Sequence, residues 1–165
     1  VGHPLDIEPQ VAPLARDDLL DNLHRQVAES RALGAELCCG GEQYESNGFY
    51  YRPTVLTDVT PEMPVFREET FGPVAPIIPF ADTDEAVRLA NLSEYGLAAS
   101  VWTADRGRAE DIAGRLESGN VYINDRVKSD PRLPFGGVKR SGYGRELSHF
   151  GLYEFTNIKS VWIAG

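Results

Sequence analysis

Apolar residues recur at helical spacing along the segment 16–34, the pattern of a helix that buries one face. Acidic residues open the segment at Asp17 and Asp18, where they suit the positive end of a helix dipole, and Gly34 closes it. The apolar positions are Leu19, Leu20, Leu23, Val27 and Ala28. The pattern therefore predicts an amphipathic helix that starts at the two acids and stops at Gly34.

Two later segments have the same helical character. The stretch "ADTDEAVRLANLSEYG" offers Asp82 or Thr83 as its N-cap and Gly96 as its stop. The stretch "ADRGRAEDIAGRLESG" offers Asp105 as its N-cap. A fourth, short helix is expected near residues 145–153.

Short apolar runs alternate with these helices and predict strands. Pro53 should keep its own extended segment out of the middle of a sheet, and "PEMPVFREETFGPV" reads as a long irregular connector. Alternation of strands with helices favours an α/β fold with a mostly parallel sheet flanked by helices. The predicted strands and extended runs are "AELCCGG", "GFYYRPTVLTDV", "APIIPF", "LAASVWT", "NVYIN" and "FTNIKSVWIAG".

Composition narrows the class of protein. The 165 residues are 42 % hydrophobic and 25 % charged, as in ordinary globular chains. A net charge of −9 disfavours a nucleic-acid partner, and no apolar run approaches the roughly 20 residues of a membrane span. The only cysteines, Cys38 and Cys39, are adjacent, so no structural disulfide is expected. We expect a cytoplasmic protein without a signal peptide, and the start at Val1 reads like mid-chain.

The stretch "REETFGPV" joins adjacent carboxylates to an aromatic ring and a Gly-Pro turn. One interpretation is two solvated acids beside a buried Phe71. The other is functional: a carboxylate accepts hydrogen bonds from the two hydroxyls of a sugar, with the ring of Phe71 as a wall beside it. Spacing alone leaves both open.

The stretch "KSDPRLPFGGVKRSGYGRE" is too rich in Gly and Pro for a regular element and too apolar for a linker. Ser129 beside Lys128 could hold a substrate carboxylate, and Phe135 between Pro134 and a Gly pair could wall a pocket. The alternative is a tight buried connection in which Ser129 caps a turn. The motif "SGYGRE" lacks the third glycine of a phosphate loop and indicates close backbone packing.

The remaining polar residues do not predict chemistry. His3, His24 and His149 have no partner at metal-ligand spacing, and His149 is expected to support a helix C-terminus. Cys38 and Cys39 occupy consecutive strand positions, so we expect them to point to opposite faces, with at least one in the core. No metal ligand and no catalytic residue is therefore assigned in this chain.

The motifs "EETFGPV", "YGLAASVWT", "GNVYIN" and "LPFGGVKRSGYGRELSHFGLYEFTNIKSVW" resemble the C-terminal part of the aldehyde dehydrogenase superfamily, in that order. The resemblance extends through "GHPLD", "GAEL" and "RPTVLTDV", and "KSDPRLPFGGVKRSGYGRE" is most similar to the bacterial succinate-semialdehyde dehydrogenases. It implies an NAD(P)-dependent oxidation of an aldehyde to an acid, in which a Cys thiolate forms a thiohemiacetal.

The resemblance also implies roles for four residues. Glu69 matches the Glu that holds the nicotinamide ribose hydroxyls, and Phe71 the aromatic beside that ribose. Phe135 matches the aromatic wall of the aldehyde pocket. Ser129 matches the Ser that binds the distal carboxylate of succinate semialdehyde.

In the family, the nucleophilic Cys, the general-base Glu and the oxyanion Asn lie upstream of the matched part. We therefore expect residues 1–153 to be a partial catalytic domain, 154–165 to be an oligomerisation strand, and the chain alone to be inactive. The parent is expected to be a homo-oligomer. The alternative is a non-catalytic assembly module that pairs through its C-terminal strand.

Overall fold

The computed structural model describes residues 1–2, 5, 11–44 and 48–165. His3 and most of the motif "GHPLD" lie outside this part of the chain. Two compact units are present, Val1–Phe80 and Ala81–Gly165.

The first unit is built on one long helix whose apolar face is buried. Leu20, Leu23 and Val27 are at most 8 % exposed, so the predicted amphipathic helix is confirmed. The helix begins at the two acids and ends two residues before Gly34, whose φ of 110° favours glycine. The elements of this unit are α1 (Asp17–Ala32), β1 (Glu36–Cys39), β2 (Thr54–Thr57), α2 (Pro64–Arg67) and β3 (Val74–Pro76).

A three-stranded sheet faces this helix with β2 in its centre. The β1 strand pairs antiparallel with β2, Glu36 opposite Thr57, while β3 pairs parallel with it, Val74 opposite Thr54. The expected exclusion of this segment from the middle of a sheet is wrong, because Pro53 precedes the strand and removes no donor from it.

The expected irregular connector contains a helix. α2 forms a single turn over Pro64–Arg67, and Pro64 occupies its first position, where a missing N–H costs no hydrogen bond. Ser30 of α1 accepts a hydrogen bond from the Val65 N–H at 3.2 Å, which joins the two helices. The core of the unit is Leu20, Leu23, Val27, Ala35, Tyr51, Leu56, Val59, Met63 and Val65.

The second unit alternates helices with short strands. Asp82 caps α3 by accepting from the Glu85 N–H at 2.8 Å, and Asp105 caps α4 by accepting from the Arg108 N–H at 3.0 Å. Both caps confirm the sequence prediction. The elements are α3 (Thr83–Asn91), β4 (Tyr95–Gly96), β5 (Ala98–Val101), α4 (Arg106–Arg115), β6 (Asn120–Ile123), β7 (Val138–Lys139) and α5 (Ser148–Glu154).

Two small sheets complete this unit. β5 and β6 pair parallel, with Ala98 opposite Asn120, and β4 and β7 pair antiparallel, with Tyr95 opposite Lys139. The expected helix stop at Gly96 is wrong: α3 ends at Asn91 and Gly96 belongs to β4. The predicted α/β class is confirmed, with mixed sheets and helices.

Two expectations about single side chains are wrong. His149 lies in the first turn of α5, not near its C-terminus, because the helix begins later than expected, at Ser148. Both Cys38 and Cys39 are exposed, since a register shift between Leu37 and Cys39 breaks the strand alternation.

Candidate functional site

The segment 68–73, called the acidic loop below, follows α2 and leads into β3. Its tight turn is closed by hydrogen bonds from the Gly72 N–H to the Thr70 carbonyl at 2.9 Å and from the Val74 N–H to the Gly72 carbonyl at 2.8 Å. A Cβ at Gly72 would overlap the Leu23 side chain in the core. Glycine therefore lets the loop lie directly on α1.

Polar residues of α1 hold the acidic loop in place. The buried Gln26 amide donates to the Glu68 carboxylate at 2.9 Å and to the Glu69 carbonyl at 3.2 Å. The Arg25 guanidinium donates to the same Glu68 oxygen at 2.6 Å. The hydrogen bond from Gln26, together with Arg25, lowers the pKa of Glu68 below its usual value. Glu68 is therefore the structural acid of the adjacent pair.

Glu69 and Phe71 point away from these contacts. The Glu69 side chain is exposed and, within the described part of the chain, makes no hydrogen bond or salt bridge. Phe71 is 59 % exposed, so the interpretation with a buried Phe71 is wrong. Phe71 lines a cavity of about 330 Å³ together with Leu19 and residues 11–15 and 72–73. A carboxylate without a protein partner beside an exposed ring fits a ribose diol.

Two of the three cations in the segment 125–132 pair with acids of the same segment. The Lys128 ammonium donates to the Asp125 carboxylate, and the Tyr122 hydroxyl donates to the Lys128 carbonyl at 2.6 Å. The Arg132 guanidinium donates twice to the Asp130 carboxylate, at 2.9 and 2.6 Å. These contacts hold the pKa of the Asp125 and Asp130 carboxyls below their usual range. The cations expected to serve an anionic substrate are therefore engaged within the segment.

Ser129 lies between these two ion pairs. Its side chain is exposed and makes no hydrogen bond to the described residues. The turn after it is instead held by Asp130, which accepts from the Arg132 N–H at 2.9 Å and whose carbonyl accepts from the Leu133 N–H. The alternative in which Ser129 caps this turn is wrong. A cavity of about 440 Å³ is lined by residues on both sides of Ser129, among them Lys128 and Asp130.

Phe135 is fixed by a backbone bridge. Its N–H donates to the Glu146 carbonyl, and the Glu146 N–H donates back, each at 2.8 Å. The Arg145 guanidinium reaches the Gly137 and Gly144 carbonyls at 2.8 and 2.6 Å and closes the loop between the bridged residues. The interpretation of "SGYGRE" as close backbone packing agrees with these contacts.

Phe135 lines a cavity of about 370 Å³ that differs from the cavity beside Ser129. Its other lining residues include Leu97, Tyr143, Glu154 and Phe155. Asn120 connects the two regions, because it lines the cavity beside Ser129 while its amide donates to the Gly136 carbonyl at 2.8 Å. The structure thus places Ser129 and Phe135 in one unit but not around one cavity.

Sequence reasoning missed three residues that position these loops: Gln26, Asn120 and Arg145. Gln26 could have been found, because it falls on the apolar face of α1 beside Leu23 and Val27, where a buried amide needs a partner. Asn120 binds a backbone carbonyl 16 residues away, and Arg145 binds backbone carbonyls of its own loop, for which the sequence gives no pattern.

No cluster of three or more His, Cys, Asp or Glu side chains suited to a metal ion occurs among the described residues. Within the same part of the chain, none of the helices has the length and apolar character required to cross a membrane.

Comparison with known proteins extends these observations. A sequence profile described as the Aldehyde dehydrogenase family matches residues 1–161. The chain is 55 % identical over 162 residues to the succinate semialdehyde dehydrogenase [NAD(P)+] Sad of Escherichia coli (strain K12), covering 98 % of this chain and 35 % of that protein. It is 47 % identical to succinate-semialdehyde dehydrogenase [NADP(+)] 1 of Mycobacterium ulcerans, covering 99 % of this chain and 36 % of that protein.

Solved structures show the same relationship. A succinate-semialdehyde dehydrogenase from Burkholderia pseudomallei matches with a TM-score of 0.90 and 42 % identity, over 94 % of this chain and 32 % of that one. A Mycobacterium tuberculosis aldehyde dehydrogenase complexed with NAD+ matches with a TM-score of 0.93 and 41 % identity, over 99 % of this chain and 34 % of that one. The chain thus spans about a third of the length of these relatives.

Proposed function

Because the chain belongs to the aldehyde dehydrogenase family, we propose that it is part of an NAD(P)-dependent enzyme that oxidises succinate semialdehyde to the acid. The observation that carries the proposal is the similarity over nearly the whole chain to relatives named as succinate-semialdehyde dehydrogenases. Since the chain spans about a third of those proteins, the activity belongs to the full-length protein.

In this proposal Glu69 and Phe71 hold the nicotinamide nucleotide. The exposed Glu69 carboxylate accepts hydrogen bonds from the ribose hydroxyls, and the Phe71 ring covers the same sugar. Gln26 and Arg25 support this by fixing the neighbouring Glu68, so that the loop does not reorganise when the nucleotide enters. The nucleotide, when bound, accepts the hydride that leaves the substrate.

Ser129 and Phe135 serve the substrate side. The Ser129 hydroxyl donates to the carboxylate of succinate semialdehyde, and Phe135, fixed by its bridge to Glu146, provides an apolar wall. Because Lys128 and Arg132 are already paired with acids of the segment, we assign recognition of the anion to the Ser129 hydroxyl and not to these two cations.

The nucleophile is proposed to come from another part of the full-length protein. A Cys thiolate there attacks the aldehyde carbon and forms a thiohemiacetal, and water later hydrolyses the thioester. Neither Cys38 nor Cys39 is assigned this role, and the chain by itself should not oxidise aldehydes. The intact mass of the native gene product tests this: a subunit near the length of the relatives supports it, whereas an active product of this length alone contradicts it.

The substrate assignment is tested by the kinetics of the full-length protein. We expect kcat/KM to be higher for succinate semialdehyde than for butanal, which has the same chain length but no charge. Ser129→Ala should cost about 1–3 kcal/mol of transition-state binding for succinate semialdehyde, which lowers its kcat/KM. The kcat/KM for butanal should stay unchanged.

The matched control is Ser100→Ala, which removes an exposed hydroxyl from β5. It should leave both rates unchanged. Equal kcat/KM for the two aldehydes in the unmodified enzyme contradicts the substrate assignment, and an equal effect of Ser129→Ala on both contradicts the role of Ser129.

A second candidate function, assembly through the C-terminal segment, rests on the exposure of residues 155–163. Phe155, Ile158, Trp162 and Ile163 are 84–92 % exposed, which is unusual for large apolar side chains so close together. Sedimentation of the chain should show dimers or larger species that are lost when it is truncated after Glu154. A monodisperse monomer for the untruncated chain contradicts this.

A further inference from the structure

The two cysteines of the chain are the last two residues of β1, at the edge of the three-stranded sheet. Both side chains are exposed and both thiols are free. Neither has a role in the proposed function. They are therefore a pair of accessible soft ligands at adjacent positions.

A bulge brings both thiols to one face of the sheet. Leu37 lies opposite the buried Leu56 and packs against the core, whereas Cys39 lies opposite the outward-facing Val55. From Leu37 to Cys39 the β1 strand advances by two residues, whereas its partners on β2, Leu56 and Val55, are adjacent. Cys38 is therefore the extra residue of a β-bulge.

The Cys38 thiol identifies the face on which the extra residue lies. It donates to the Thr57 hydroxyl at 3.8 Å, and Thr57 lies on the outward face of β2 together with Val55, the partner of Cys39. In a regular strand the two side chains would lie on opposite faces, as the sequence alone suggested. The bulge places both side chains on the outward face of the sheet.

The backbone around the pair is fixed on both sides. On one side Leu37 is held by the core cluster. On the other, the Gly41 N–H donates to the Thr54 hydroxyl at 2.8 Å, and a Cβ at Gly40 would overlap the Pro53 carbonyl. The thiols themselves make only weak contacts: Cys38 with the Thr57 hydroxyl, and Cys39 with the Pro53 carbonyl, each at 3.8 Å. Their positions are set by the backbone, while their sulfur atoms stay available.

We propose that Cys38 and Cys39 form a vicinal dithiol site that binds trivalent arsenic compounds as a two-sulfur chelate. In the reaction with an organic arsenic(III) oxide, each thiol forms one As–S bond and loses its proton. The oxide oxygen takes both protons and leaves as one molecule of water. Arsenic stays trivalent, so no oxidant or reductant is required. Two thiols of adjacent residues on the same face, both of which can turn to one arsenic atom, bind more tightly than one, because the second bond forms within the same complex.

The experiment treats the reduced, folded chain with phenylarsine oxide and follows intact mass. The expected product is one phenylarsenic unit per chain, retained in excess mercaptoethanol and removed by the dithiol dithiothreitol. In the full-length protein, the same adduct should map to the tryptic peptide 32–67, which contains both cysteines because trypsin does not cleave before Pro53.

Single replacements separate the chelate from one reactive thiol. Cys38→Ser and Cys39→Ser should each reduce retention in mercaptoethanol by roughly 100-fold, since joining two binding groups typically gains 10²–10⁴. Far-UV circular dichroism checks that each variant is folded, and thiol titration should give two accessible groups in the parent chain and one in each variant. Fewer than two accessible thiols in the parent, no retained adduct, or equal retention in either Ser variant overturns the proposal.

Discussion

Gln26→Met tests whether α1 holds the acidic loop. Gln26 is 1 % exposed, and its amide nitrogen bonds the Glu68 carboxylate and the Glu69 carbonyl. Its amide oxygen is buried and has no partner among the described residues. Methionine has nearly the same volume, so the replacement removes the two hydrogen bonds without opening a cavity.

The size of the effect follows from these two hydrogen bonds and the unpaired oxygen. Loss of the bond to the Glu69 carbonyl costs about 1 kcal/mol, and loss of the bond to the Glu68 carboxylate about 1.5 kcal/mol, the low end for a charged partner because Arg25 remains bound to Glu68. Removal of the unpaired oxygen offsets about 1 kcal/mol of this, since a buried unsatisfied group costs at least that much. The free energy of unfolding should therefore fall by about 1.5 kcal/mol.

Urea denaturation of the chain, followed by far-UV circular dichroism, measures this difference. With an m-value of about 1–3 kcal/mol/M, the midpoint should fall by roughly 0.5–1.5 M. Gln43→Met makes the same chemical change at an exposed side chain and should stay within about 0.5 kcal/mol. If both variants have the same midpoint, the two bonds of Gln26 contribute nothing net and the reasoning fails.

The same variant has a pH dependence of defined sign. The pKa of Glu68 in the folded chain is lowered from 4.5, first by the bond from Gln26. That contribution to stability is therefore present above pH 4.5 and is lost as pH falls through the lowered pKa. The difference between the parent chain and Gln26→Met should narrow below pH 4.5; a difference that widens there contradicts the assignment.

Replacements at four further positions test other parts of the structure. Gly119→Ala should cost about 3 kcal/mol in a urea titration, because its Cβ would overlap the Gly136 carbonyl. Gly114→Ala in α4 should instead stabilise by about 0.5–1 kcal/mol, because a Cβ there would lie in open space. Burial raises the pKa of Tyr51 to about 12. The stability that the neutral phenol contributes is present below pH 10 and should be lost as pH rises to 12, by roughly 2–3 kcal/mol. Tyr51→Phe cannot ionise, so this alkaline loss of stability should be absent from the variant. Asp105→Ala should cost about 0.5–2 kcal/mol of helix capping, and Asp105→Asn should restore most of it.

The sequence predicted α1 and the N-terminal ends of α3 and α4 well because their determinants are local. The spacing of apolar residues in α1 and the caps Asp82 and Asp105 each act within a few residues, so they can be read without tertiary information. The close backbone packing predicted for "SGYGRE" also agrees with the bonds from Arg145 to the Gly137 and Gly144 carbonyls. The four site residues carried over from the family resemblance remain predictions, although the geometry agrees with an available carboxylate at Glu69 and an available ring at Phe71.

What the sequence could not predict depends on register. One extra residue in β1 determines whether Cys38 and Cys39 lie on opposite faces or on the same face, and only the pairing with β2 shows it. The exposure of Phe71 depends on tertiary packing in the same way, since it is Gly72, and not Phe71, that lies directly on Leu23.

The ion pairs of the segment 125–132 change how its specificity should be understood. Lys128 and Arg132 would attract an anion from solution if they were free, but each already donates to a carboxylate two or three residues away. In the proposed function, a substrate carboxylate at Ser129 meets a segment in which these two cations are already paired, and a neutral hydroxyl that offers one hydrogen bond. Discrimination against an uncharged aldehyde by the Ser129 hydroxyl should then be modest and insensitive to salt, because it depends on a short-range hydrogen bond more than on a screened field.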